Sequence, residues 1–132
     1  MGFKKEKAFA LAAGTGKYRV AAEAKFIGAD ILVSVWGGTK PHIGSVAVAV
    51  PRRSLESPKK MSATSSVFNF SGHKDEVVSK LFSERIAARL NRNCTATAGI
   101  HIENANNKTI EILLQNCETL CAEMLTLLEK QK

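Results

Sequence analysis

The chain has 132 residues, 45 % of them apolar and 23 % charged, with a formal net charge of +7. These values exclude wholesale disorder and allow one core but not two, so one domain spanning residues 1–132 is expected. No apolar run reaches the roughly 18–20 residues of a membrane span, and Ala8–Ala13 falls short of the apolar region of a signal peptide, which predicts a cytoplasmic protein.

The charge is uneven. Residues 1–60 hold 11 Lys and Arg against 4 Asp and Glu, whereas residues 61–132 hold 8 of each. A basic N-terminal half suits an anionic ligand, an acidic partner or nucleic acid, and equally a solvated face. With one Trp, one Tyr and no RNA-binding aromatic signature, nucleic acid is the weakest of these. The three cysteines, Cys94, Cys117 and Cys121, have no framework spacing and read as reduced thiols. Cys117 and Cys121 lie on an apolar helical stripe, where small buried hydrophobes are expected.

Residues 1–6 read as a disordered tail, and Lys7–Ala13 as an edge strand. Gly14-Thr15-Gly16-Lys17 resembles a phosphate loop, but the spacing demands Gly where Leu11 stands, so that motif is rejected. From Tyr18 to Phe26 apolar residues alternate with Arg19, Glu23 and Lys25, as in a half-buried strand. After Gly28-Ala29-Asp30, the stretch Ile31–Trp36 alternates again, predicting an antiparallel hairpin.

Gly37-Gly38-Thr39-Lys40-Pro41 breaks the pattern. Ile43–Val50 resumes it, with valines on one side and Ser45, Ala47 and Ala49 on the other; the small side suggests close packing against a helix or a partner backbone. Pro51–Ser62 is polar, basic and Pro-containing, and reads as an exposed loop. Thr64–Phe70 is a strand. Asp75–Leu90 is a helix, with Val78, Phe82, Ile86 and Leu90 spaced four apart, acids in its first turn and Arg85 and Arg89 near its end. Cys94–Ile102 is a strand. Thr109 is the expected cap of the longest helix, Ile110–Glu129.

The strand–helix–strand unit Thr64–Ile102 predicts a right-handed parallel crossover. The expected fold is therefore α+β: a single mixed sheet of five or six strands covered on one face by two helices.

Parallel strands share a carboxyl edge, where ligands of such units collect. Ser71-Gly72-His73-Lys74 follows one strand, and Gly99-Ile100-His101-Ile102-Glu103-Asn104 closes another. If the strand ending at Trp36 runs the same way, Gly37–Gly44 joins them. His42, His73 and His101 then converge with Lys40, Lys74, Glu103 and Asn104. Such an edge suits an anionic ligand, because Gly72 admits close backbone approach and a helix N-terminus with Lys74 favours phosphate. Taken singly, Ser71 is as well explained as a helix cap and His73 as a solvated turn residue. Three histidines also permit a metal site, although no helical His pair or His-Glu-x-x-His pattern is present. Acid–base catalysis by a His beside Glu103 has weak support, and no Ser or Cys nucleophile has a recognisable setting.

The succession Gly-Gly-Thr-Lys-Pro-His-Ile-Gly-Ser-Val-Ala, Ser-Gly-His-Lys-Asp-Glu-Val-Val and Ala-Gly-Ile-His-Ile-Glu-Asn-Ala, followed by a Leu-rich acidic helix, resembles the prenylated-flavin chaperone-like family. Its members resemble the small D subunit associated with gallate and hydroxybenzoate decarboxylases. The resemblance implies a non-catalytic helper. It would bind prenylated FMN or FMN, or the apo form of a UbiD-type decarboxylase, and assist cofactor loading. Carried onto the matching motifs, the implied cofactor-binding residues are Lys40, His42, Gly72, His73, Lys74, His101, Glu103 and Asn104. Trp36 or Phe70, at strand ends, would give the flavin ring an apolar bed. Two other readings stay open: an assembly module acting without a flavin, and a small metal-dependent enzyme built on the three histidines. The long apolar helix and the Ala-rich strands also allow a homodimer.

Overall fold

In the computed structural model, described for Gly2, residues 7–70 and residues 74–131 with the Lys74 side chain left aside, six strands form one mixed sheet covered by two helices. The strands are β1 (Ala8–Ala13), β2 (Val20–Ile27), β3 (Asp30–Gly38), β4 (Ser45–Arg53), β5 (Met61–Asn69) and β6 (Cys94–His101). The helices are α1 (Lys74–Leu90) and α2 (Asn107–Glu129). The alternation that predicts the β2–β3 hairpin is realised in an antiparallel ladder from Val20↔Gly37 to Ile27↔Asp30.

The sheet order is β1-β2-β3-β6-β4-β5. β6 is parallel to β3 and antiparallel to β4, and β4 is antiparallel to β5. The β5–α1–β6 crossover therefore joins strands of like direction, but with β4 lying between them. The sequence pattern specifies the crossover; the insertion of β6 at the centre depends on pairing between residues far apart in the chain. β3, β5 and β6 all end at the same edge, and β4 starts there.

Period-2 alternation decides which residues meet the helices. Val20, Ala22 and Ala24 of β2, and Ile31, Val33 and Val35 of β3, are buried. So are Ala47 and Ala49 of β4, whose small side chains let α1 lie close to the strand, as the sequence suggests. From above, Val78, Phe82, Ile86 and Leu90 of α1 and Cys117, Cys121, Met124 and Leu128 of α2 complete one hydrophobic cluster. Each such large side chain contributes on the order of 1.5–3 kcal/mol through burial. The opposite face of the sheet carries exposed Val48, Val50 and Phe68, with Phe70 just beyond the strand end.

Three local expectations are corrected. β4 runs on through Pro51-Arg52-Arg53 and β5 begins at Met61, so only the tip of the expected 51–62 loop is loop. Pro51 is tolerated because the β4–β6 ladder stops at Ala49↔Cys94, which leaves β4 paired on one side only beyond it. The α2 cap is Asn106 rather than Thr109: the Asn106 side chain accepts from the Thr109 N–H at 2.9 Å, and Thr109 itself is buried. The strand expected to start at Tyr18 starts at Val20, after a short 3-10 turn at Gly16–Tyr18.

No helix among the described residues is long and apolar enough to cross a membrane.

Candidate functional site

The shared carboxyl edge brings the Gly37–Gly44 and Gly99–Asn104 segments together, as the strand directions require. The His101 carbonyl accepts from the Thr39 N–H at 2.7 Å, from the Lys40 N–H at 3.2 Å and from the Thr39 hydroxyl at 3.2 Å. Farther along, the His42 N–H donates to the Gly99 carbonyl at 3.4 Å and the Gly44 N–H to that of Ala98 at 2.9 Å. The segment between β3 and β4 thus lies against the end of β6. Its glycines make this approach possible: a Cβ on Gly99 would strike the His42 carbonyl, and one on Gly44 would strike the Asp75 carboxylate.

Asp75, in the first turn of α1, ties the edge to the helix. Its side chain is only 9 % exposed. Oδ1 accepts from the Ile100 N–H at 2.9 Å, and Oδ2 meets His42 Nε2 at 3.1 Å. His42 Nδ1 lies 3.0 Å from the Lys40 carbonyl. Both ring nitrogens therefore face acceptors, and a ring carrying hydrogen on both donates to both. Sequence reasoning assigns Asp75 only to the helix dipole. Its partners are 33 and 25 positions away, a pairing that no local pattern announces.

The remaining polar residues form a second, exposed group. Lys40 Nζ is 2.7 Å from Glu103 Oε1, and His101 Nε2 is 3.5 Å from the same oxygen. Lys40, and more weakly His101, hold the Glu103 carboxyl below its ordinary value, while Glu103 holds the Lys40 ammonium above its own. Asn104 sits at φ 56°, a left-handed conformation that Asn tolerates better than most residues.

Beside this edge opens a cavity of about 210 Å³, on the helix side of the sheet. Val78 of α1, Ile100 and Ile102 around the end of β6, and Ile110, Leu113, Leu114 and Cys117 of α2 form its apolar wall. Asp75, His101 and Asn104 also line it. The α2 contribution is invisible as a site in the sequence, because an apolar wall and a core stripe have the same periodicity. Trp36 and Phe70, the expected ring bed, are not among the lining residues. Trp36 alternates with buried Val35 and Val33 onto the uncovered face, and Phe70 is 61 % exposed and packs edge-on against Phe68.

Of the expected site residues, the structure joins Lys40, Glu103 and His101 in one contact group, sets His42 apart on Asp75, and places Asn104 at the cavity. Gly72 and His73 lie outside the described residues, as does the side chain of Lys74. Among the described residues no group of three or more His, Cys, Asp and Glu could hold a metal ion. The three cysteines are free and buried, as expected, and burial pushes each thiol up to about 12.

The fold is also that of a chain in a chaperone complex for yeast 20S proteasome assembly. The TM-score is 0.60 over 95 % of this chain and 96 % of that one, at 15 % identity, a likeness of fold alone. A stronger relation is to Protein LpdD of Lactiplantibacillus plantarum, 31 % identical over 112 residues, which are 85 % of this chain and 79 % of that protein. Residues 14–129 match the model of the prenylated flavin chaperone LpdD-like domain. The chain belongs to the LpdD-like prenylated flavin chaperone family.

Proposed function

We propose that this protein is a non-catalytic accessory protein that binds prenylated FMN and delivers it to an apo-decarboxylase of the UbiD type. The observation that carries this reading is the apolar cavity beside a polar edge, within a chain of the prenylated flavin chaperone family. A flavin nucleotide is amphipathic: its ring system is largely apolar and its phosphate is a dianion. The edge offers matching parts. His101 and Asn104 stand at the cavity, and Lys40 stands beside His101 through their shared partner Glu103. For Lys40 to hold the phosphate, its ammonium exchanges Glu103 for the ligand, a small cost for an exposed pair. His42 serves differently. It fixes the Gly37–Gly44 segment to α1, so that Lys40 is presented from a rigid backbone.

Nothing in this group resembles an activated nucleophile. The buried thiols stay protonated at neutral pH, and no Ser–His pair is present among the described residues.

The test is anaerobic titration of the purified protein with reduced prenylated FMN and with FMN, followed by transfer to an apo-decarboxylase. Binding of the prenylated flavin and faster activation of the enzyme are expected. Failure to bind either flavin, with no effect on activation, overturns the proposal. The exposed Val48, Val50 and Phe68 on the uncovered sheet face favour a second reading, an assembly module that grips the decarboxylase directly. Capture of the decarboxylase in the absence of any flavin would support that reading instead.

A further inference from the structure

We infer that the cavity between α1, the end of β6 and the first turns of α2 is what distinguishes prenylated from unmodified flavin, by receiving the isoprenoid-derived hydrocarbon of the ligand. The inference rests on the flavin reading above and adds to it a place and an orientation.

Size gives the first argument. An apolar cavity of about 150 Å³ takes up benzene. One of about 210 Å³ therefore holds a compact hydrocarbon group of one ring or a few branched carbons. It is too small for a flavin ring system together with its ribityl phosphate, so only one part of the ligand enters.

The chemistry of the wall decides which part. Val78, Ile102, Leu113 and Leu114 offer no hydrogen bonds from their side chains, and Cys117 adds a thiol that burial keeps neutral. Ribityl hydroxyls or phosphate placed there would lose their hydration without replacement, at a cost of several kcal/mol for a neutral group and far more for a charge. A hydrocarbon loses nothing by entering.

Asp75 reinforces the choice. Its two oxygens already serve Ile100 and His42, and a carboxylate has about four acceptor positions, so it can accept further only from a donor such as a ring N–H. A phosphate near it would meet a like charge. The hydrocarbon is thus directed inward and the phosphate outward, toward Lys40.

The amount of preference follows from the same pocket. A hydrophobic site discriminates by about 10- to 200-fold for one methylene, so a preference of at least about tenfold for prenylated FMN over FMN is expected. The experiment is equilibrium binding of reduced prenylated FMN and FMN to the intact wild-type protein and to Ala105→Phe and Leu114→Phe, which fill the cavity from its half-buried positions. Folding of each variant is checked by circular dichroism.

The expected result is a wild-type preference that falls toward unity in the filled variants. Equal affinity of the wild type for the two flavins overturns the inference while leaving the flavin reading intact. So does a preference retained by either folded variant. A wild type that binds neither flavin overturns both. Should a filled variant not fold, the wild-type ratio and Leu114→Ala still decide, since enlarging the cavity must also loosen the preference.

Discussion

The Gly37–Gly44 and Gly99–Asn104 segments look alike in sequence, each carrying a His followed by Ile near glycines, yet the fold uses them differently. His42 is held between the Lys40 carbonyl and the Asp75 carboxylate. His101 contributes its backbone carbonyl to three donors, while its ring stays 48 % exposed and only 3.5 Å from Glu103. One histidine fastens the edge; the ring of the other stays half exposed beside Glu103. The difference comes from Asp75, the single buried carboxylate among the described residues, which reaches His42, whereas His101 faces only the exposed Glu103. Two histidines at one sheet edge therefore need not share a task, and side-chain burial of the partner separates them.

The largest test of this contrast removes the fastener. Asp75→Ala strands the Ile100 N–H and one nitrogen of His42, and should lower unfolding free energy by about 2–4 kcal/mol in a denaturant titration. Asp75→Asn, which can still accept from Ile100, should cost less. Next in size, His42→Ala should destabilise by about 1 kcal/mol, whereas His101→Ala should stay within about 0.5 kcal/mol and show its effect in flavin binding instead. Equal losses of stability from the two would erase the distinction between the segments.

The smallest effects are electrostatic. Glu103 has a folded value below its ordinary 4.5, so its contribution is present above that value and is lost as pH falls through the folded one. A shallow acid loss of stability is expected, and Glu103→Gln should remove it. The core behaves oppositely. Its thiols ionise near 9.0 when unfolded and near 12 when folded, so the unfolded state gives up protons first as pH rises. Stability should therefore fall between pH 9 and pH 12, a decline visible in thermal melts and insensitive to Glu103→Gln.

Much of this fold is legible from period alone. The alternating stretches became strands, the four-spaced stripe of α1 became its buried face, and the small side of β4, which allowed either a close helix or a partner backbone, lies under α1. The convergence of the Gly37–Gly44 and Gly99–Asn104 segments was also accessible, because it needs only parallel direction and a shared end. What could not be read is pairing at a distance. Nothing in the neighbourhood of Asp75 names His42 or Ile100. The α2 residues of the cavity wall carry the same apolar pattern as core residues, since a wall is a core face with space beside it. Asn106 and Thr109 are both good capping residues, and only backbone geometry ranks them.

The central place of β6 has a consequence for how the chain acquires its structure. The strands β1, β2 and β3 form one antiparallel meander and β4 with β5 a hairpin, and among the described residues no ladder joins the two groups except through β6. During synthesis both groups emerge before the strand that unites them. Until Cys94–His101 has left the ribosome, the edges of β3 and β4 are unpaired and open to association with other chains. Closing the sheet then demands contacts between residues more than sixty positions apart, such as Ile31 with Cys94, which slows folding relative to a protein of local contacts. The same late strand ends in Gly99, Ile100 and His101, so the polar edge and the joined sheet come into being together.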